Sequence, residues 1–454
     1  MLSQAAVRRV ILKVLAIHLF IALPGNAMAV TPRAGDGPAD VLRVQPALPM
    51  NQHGLRRFPY PFAAMIAIAS DCDGMTLRKF TLIHRFLNTH AATIMGPGLG
   101  LDIADSFYCF VGTDRPGWCD YDFTPWQDQM SWSRRLFVGR PHHSQAIIHF
   151  FRAGWIDSLH SFGDFSMQDE NTTRYSRRYA LEAGQALKAA GLFPSVWINH
   201  GNRSNVGNFG NPESTYQQGD LSMTPYYTSD IAASCGVRFV WTRRDCQFGL
   251  PSMLYPIVLR DRQKLWGFYR YTDDGYNENG VLQWNWNPRK LSQQLSQAHL
   301  DETERRHEFS IVAQHLGGNA SPIPFYGENL GALERLKREQ DSGRLLVART
   351  SRLLRYNEVS QFLRFRLIRR GSTVYIALGK VADPVLGAFW PALSDLRGIT
   401  FYIPRGAHAV LILRGARISA GDIQVNPPDE TGNPSVGIKW WPADSTDYAR
   451  HSHM

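Results

Sequence analysis

Asp71 and Asp73 lie one residue apart in Ser70-Asp71-Cys72-Asp73-Gly74, directly after the continuous apolar run from Phe62 to Ala69. If extended geometry persists through this turn, a side-chain period of two puts both carboxylates on one face. Two carboxylates that close suit a metal site, or a base beside a metal ligand. The plainer alternative is that Asp73 caps a helix opening near Thr76. His160 and Asp164 stand four apart in His160-Ser161-Phe162-Gly163-Asp164, a spacing that one helical turn would point the same way. Imidazole nitrogen with carboxylate oxygen is an ordinary Zn²⁺ ligand set, and a catalytic site leaves one position open for water. His315 ends another apolar run before Gly317-Gly318. A loop histidine there can act as a general acid, since its unperturbed pKa lies near neutrality.

Rigid elements have to carry these residues. The run 62–69 reads as a strand buried on both faces, and helical spacing follows over 77–87. The alternation continues with an apolar stretch at 146–151 leading to 155–160, and a helix over 177–190 closed by Gly191. A strand at 193–198 then ends in Asn199-His200-Gly201, and another at 237–241 ends in Trp241. Further on come a helix over 291–306, a strand at 309–313, a helix over 330–339, a strand at 344–348 and a helix over 350–362. Alternating strands and helices give an α/β fold with a parallel sheet, open or closed into a barrel. Asp71, Asp73, His160, His200, Trp241 and His315 all fall at the C-terminal ends of strands, where such folds build their sites. From residue 363 the pattern becomes short strands with turn signals, a small antiparallel β-rich module over 363–454 that serves as a lid or binds glycan.

The chain has 454 residues and a net charge of +10, with 44% hydrophobic and 12% aromatic residues, which excludes disordered, collagen-like and coiled-coil classes. Residues 1–29 read as a signal peptide: Arg8, Arg9 and Lys13 precede the apolar run Val14–Leu23, and Ala27-Met28-Ala29 supplies a cleavage site. The expected protein is exported, periplasmic or secreted, with no transmembrane segment after cleavage and a net charge of +7. No basic run with interleaved aromatics points to nucleic acid. Residues 30–58 read as a linker or wrapping segment. In an oxidising compartment Cys109–Cys119 and Cys235–Cys246 are candidate disulfides closing short loops, with Cys72 left over.

The order of these features over roughly residues 60–360 resembles the polysaccharide deacetylase (NodB-homology) family. The resemblance implies a distorted seven-stranded (β/α) barrel over 59–362 and a divalent metal, zinc first. Ser70-Asp71-Cys72-Asp73-Gly74 stands where the family has Thr-Phe-Asp-Asp-Gly, which makes Asp73 a metal ligand. Cys72 occupies the family's base position, so that role falls to Asp71. His160-Ser161-Phe162-Gly163-Asp164 stands where the family has His-Ser/Thr-x-x-His, so His160 and Asp164 complete the ligand set. Phe239-Val240-Trp241 fits the strand whose tryptophan packs beside the catalytic histidine, and Ile311 to His315 fits the last motif, with His315 as the acid. The family's Arg-Pro-Pro motif is missing. Trp197 to Gly201 occupies that region, and Asn199, His200 and Trp241 are assigned to substrate binding, with His200 available as an extra ligand.

The function this implies is removal of acyl groups, N-acetyl first, from a polysaccharide by a metal-dependent hydrolase. Trp118, Trp126, Trp132, Trp284 and Trp286 offer flat faces for sugars. Two rival functions use the same residues. A glycoside hydrolase would need two carboxylates and no metal, drawn from Asp71, Asp164, Asp245 and Glu328. A non-catalytic protein would bind exported polysaccharide during assembly.

Overall fold

The computed structural model describes residues 54–115, 128–272, 286–319 and 321–451, all within one compact unit spanning 42–454. Residues 1–53, which include the expected signal segment and most of the linker, lie outside the described residues. So do Cys119, Trp118, Trp126 and Trp284.

Strands and helices alternate along the chain: β1 (Ala64–Ser70), α1 (Leu77–Asn88), β2 (Ala104–Phe107), α2 (Ser144–Ala153), β3 (Ile156–His160), α3 (Arg177–Ala189), β4 (Val196–Ile198), α4 (Ser229–Ser234) and β5 (Phe239–Trp241). A hairpin of β6 (Leu254–Val258) and β7 (Lys264–Phe268) interrupts the rhythm. It resumes with α5 (Gln297–Arg306), β8 (Phe309–Gln314), α6 (Gly327–Asp341), β9 (Leu345–Val347) and α7 (Thr350–Phe362). The strands form one sheet in the order β6-β7-β5-β4-β3-β2-β1-β8, with β9 also paired to β1. Every pairing is parallel except β6 with β7. Isolated bridges, Leu250 to Phe309 and Tyr271 to Val312, tie the β8 edge to the segments flanking the hairpin, so the sheet is curled.

The sequence of β1 explains its central place. Ala64, Ile66 and Ile68 belong to the core that holds Phe80 and Ile83 of α1 and Phe150 of α2. The alternate residues Met65, Ala67 and Ala69 join Val196, Ile198, Phe239 and Ile311 in a second core. A strand buried on both faces needs apolar residues at every position, and this one has them. Thr76 caps α1, its side chain accepting from the backbone N–H of Lys79, so Asp73 is not needed as a cap.

Three strands of the main sheet escape sequence patterning, β2 and both strands of the β6–β7 hairpin. β2 is only Ala-Asp-Ser-Phe, with buried Asp105 and Ser106 where apolar residues would signal a strand, and a bulge separates those two positions. β6 carries Pro256, which is tolerated because β6 is the sheet's edge. The expected helix 291–306 is broken instead into Leu291–Gln294 and α5, because Ser296 caps the second piece.

Smaller β-rich sheets follow. β10 (Leu363–Arg370), β11 (Thr373–Val381) and β13 (His408–Leu413) form one with the short strand Ala416–Arg417. β11 and β13 run parallel, so this part is mixed rather than antiparallel. β12 (Thr400–Tyr402), β14 (Ile423–Asn426) and β15 (Ser435–Ile438) form another, which the short strand Leu55–Arg56 joins at its edge. Among the described residues no helix is long and apolar enough to cross a membrane.

Candidate metal centre

The second core fixes which way the strand ends point. Inner residues Ala69, Ser158, Ile198, Phe268 and Ala313 are each followed two positions later by Asp71, His160, His200, Arg270 and His315. Side chains from strands several neighbours apart, each neighbour about 4.8 Å away, can touch only on the inside of a curled sheet. These do. His160 Nε2 lies 2.7 Å from His200 Nδ1 and 3.4 Å from Asp73 Oδ2, and His200 Nδ1 lies 3.3 Å from Asp73 Oδ1. Donor atoms at 2.0–2.1 Å from a tetrahedral ion stand about 3.3 Å apart; each imidazole lies near that distance from one Asp73 oxygen, His160 from Oδ2 and His200 from Oδ1, and one ligand atom from each of the three residues falls within 4.8 Å of the others.

Three buried atoms here lack a hydrogen-bond partner: Asp73 Oδ2, His160 Nδ1 and Asp164 Oδ2. Buried polar atoms are normally paired, and an unpaired carboxylate oxygen beside two imidazoles is the vertex a cation would satisfy. The geometry of Asp73, His160 and His200 is therefore compatible with a bound metal ion.

Asp164 is placed differently from its expected role. Ser161 takes a left-handed conformation (φ 48°), and Gly163–Asp164 then pairs in parallel with Phe110–Val111, so residues 160–164 are not a helical turn. Asp164 Oδ1 lies 3.1 Å from His200 Nε2 and accepts from the backbone N–H of Ser166. It stands behind the imidazole, the position from which a carboxylate fixes a ligand's tautomer. His200, assigned to substrate binding but also available as an extra ligand, stands at the third vertex. Asn199 does not reach the cluster. Its side chain accepts from Trp197 Nε1 and from the Phe209 backbone, and donates to the Phe209 carbonyl, holding the loop together.

Asp71 faces a second group, Asp71–Asp73–His315. Arg270 grips it through both oxygens at 2.7 and 3.0 Å, and His315 Nε2 is 3.5 Å from it and 3.7 Å from Asp73. Burial alone would raise Asp71, but Arg270, His160 and His315 outweigh it and hold the carboxyl well below its usual range. Burial works against the charged forms of His200 and His315. The neighbouring carboxylates win for both, Asp73 foremost, and raise them above the ordinary imidazole value. Trp241 lies beneath Arg270, whose guanidinium carbon is 3.7 Å from the ring centroid, so its role is to seat that arginine. Trp286 stacks on His315 at 5.4 Å, and the backbone N–H of His315 donates to its carbonyl.

Two residues here were not picked out by sequence. Tyr108, directly after β2, donates to Asp73 Oδ1 at 2.9 Å and lies 3.0 Å from His200 Nδ1. Arg270 follows β7. Both sit at the ends of the strands that patterning missed. Two hydroxyls then lock the loops: Ser106 Oγ accepts from the Cys72 N–H, and Ser70 Oγ from the Leu316 N–H.

The Cys109–Cys119 candidate falls on Cys119, outside the described residues, and the Cys235–Cys246 disulfide is not formed. Cys109 and Cys235 are buried thiols. Cys235 packs against the Gly184 carbonyl at the end of α4, whereas Cys246 sits by the Arg270 carbonyl on the far side of β5. Glu328 is exposed in the first turn of α6.

No protein-family model, curated protein or solved structure matches the chain.

Proposed function

We propose that this protein is a metal-dependent hydrolase that removes acyl groups, N-acetyl first, from a polysaccharide, built on a divergent (β/α) barrel of the polysaccharide deacetylase type. The observation that carries this reading is the Asp73–His160–His200 triangle with its unpartnered Asp73 oxygen, set beside an Asp71–His315 pair at the same strand ends. Asp73, His160 and His200 would hold a divalent ion, which would supply Lewis acidity to an acyl carbonyl and lower the pKa of a bound water. Asp71 accepts the water's proton. Arg270 fixes the direction of that carboxylate and also makes it a weak base, so it suits a water already made acidic. His315, whose hold on a proton the two carboxylates strengthen and whose ring Trp286 braces, delivers a proton to the leaving amine. Tyr108 hydrogen-bonds to Asp73 and holds it toward the triangle.

The carboxylate-pair hydrolase is less well supported. One of the two acids has to be protonated at working pH, but Asp71 is held ionised by Arg270 and Asp164 is turned toward His200.

Metal content of the purified protein, measured beside Asp73→Ala and His160→Ala, tests the reading. About one equivalent of zinc or a similar ion is expected, lost in both variants. Acetate release from an N-acetylated glycan should stop with chelator and in Asp71→Asn. A protein that neither holds nor takes up metal, or full activity in Asp71→Asn, refutes it.

A further inference from the structure

The β10–β11–β13 sheet has two unlike faces. Val374, Ile376, Leu378 and Leu411 are buried on one. Residues directly opposite each other share a face, so register assembles the other. One row runs from Arg366 through Ala377 and Ile412 to Arg417, and the next from Ile368 through Tyr375 to Val410. Arg370 and Arg364 extend the edge strand in both directions, both exposed. The result is a platform with a half-exposed apolar centre around Tyr375 and a rim of arginines. No carboxylate lies on any of its four strands. The nearest acids in sequence are engaged elsewhere: Glu358 with Arg238 and Arg355, Asp383 with Arg238, Asp422 with Arg397, and Asp395 with Arg355.

We propose that this face docks an anionic polysaccharide, independently of the metal centre. A sugar ring would lie on Tyr375, whose face Arg370 already approaches with its guanidinium carbon 6.0 Å from the centroid. Carboxylates of neighbouring sugars would meet the arginine forks, whose planar donors match a carboxylate bidentately. Arg364, Arg366 and Arg370 follow one strand over about 20 Å, a row that suits an extended polymer better than a small anion. A bilayer fits less well. Tyr375, Val410 and Ile412 are only half-exposed, which leaves Ile368 as the one large exposed apolar side chain in these two rows.

The test uses the full chain with polygalacturonate as the probe. Wild-type protein should be retained in affinity electrophoresis by polygalacturonate, not by neutral dextran, and release with salt. The quadruple variant R364Q/R366Q/R370Q/R417Q should bind at least about tenfold more weakly, with its unfolding midpoint and metal content unchanged. Tyr375→Ala should weaken binding to polygalacturonate but not to duplex DNA. The proposal is overturned if the quadruple variant binds as wild type does, or if dextran is retained equally. Wild-type protein that ignores polygalacturonate while pelleting with phosphatidylglycerol vesicles would also overturn it. So would a preference for DNA that survives Tyr375→Ala.

Discussion

Asp164 separates two accounts of the metal site, one in which it binds the ion and one in which it orients the ligand that does. In the structure its Oδ1 sits 3.1 Å from His200 Nε2, while His200 Nδ1 points at Asp73 and His160. A carboxylate there accepts a hydrogen bond from Nε2–H and so leaves Nδ1 bare for an ion. Loss of such an outer partner typically costs 10–100-fold in metal affinity, about 1.4–2.8 kcal/mol at 1.4 kcal/mol per decade. Asp164→Asn keeps an acceptor oxygen at the same place and loses only the charge, so its affinity should fall by about tenfold. Asp164→Ala should fall nearer a hundredfold. His200→Ala removes a vertex and should bind more weakly than either. Competition with a fluorescent zinc chelator measures all three at one pH, with calorimetric stoichiometry as a check. If Asp164→Asn lost the ion while His200→Ala kept near wild-type affinity, Asp164 would be the ligand and the carboxylate-to-imidazole geometry would have been misread.

Other perturbations have signs that the structure fixes. In the metal-free protein His200 and His315 have raised pKa values. Their contribution to stability is therefore full below about 6.5 and lost as pH rises through their folded values. Metal needs His200 neutral, so the rise in melting temperature on adding zinc should grow between pH 5.5 and 8; an increment that shrinks across this window contradicts the assignment. Arg270→Met removes the bidentate partner of the buried Asp71 and leaves it only His160 and His315, so it should cost about 3 kcal/mol in urea unfolding, where a loss below about 1 kcal/mol would mean the pair is solvated. Gly154 ends α2 at φ 77°, and an added Cβ would fall on the Arg349 guanidinium. Gly154→Ala should therefore cost more than about 1 kcal/mol, and an unchanged unfolding midpoint would show that Arg349 is free to move away.

The strand ends were readable because β1 and β8 are long apolar runs that stop abruptly at polar residues, and their registers carry Asp71, Asp73 and His315 inward. The ligand set was harder to read. Sequence spacing makes His160 and Asp164 look like partners, but the left-handed Ser161 turns the chain between them, and nothing in residue types announces a positive φ there. His200 lies far from both in sequence and reaches them only because β3 and β4 are neighbours. Tyr108 and Arg270 were invisible for a related reason. β2 buries Asp105 against His84, so its polar pattern hides a strand, and β7 belongs to a hairpin that breaks the alternation.

The pairing of β1 also governs when the site can exist. Met65 pairs with Phe309 and Ala64 with Leu345, so the strand that ends at Asp71 and Asp73 gains one whole flank only from the last third of the chain. Contacts this distant in sequence close late. A nascent or truncated chain ending before Phe309 has His160 and His200 on paired neighbours, but lacks the partner that aligns the aspartates with them. The ion is therefore expected to be among the last things this protein acquires, and premature termination anywhere before β8 should yield chains that cannot hold it.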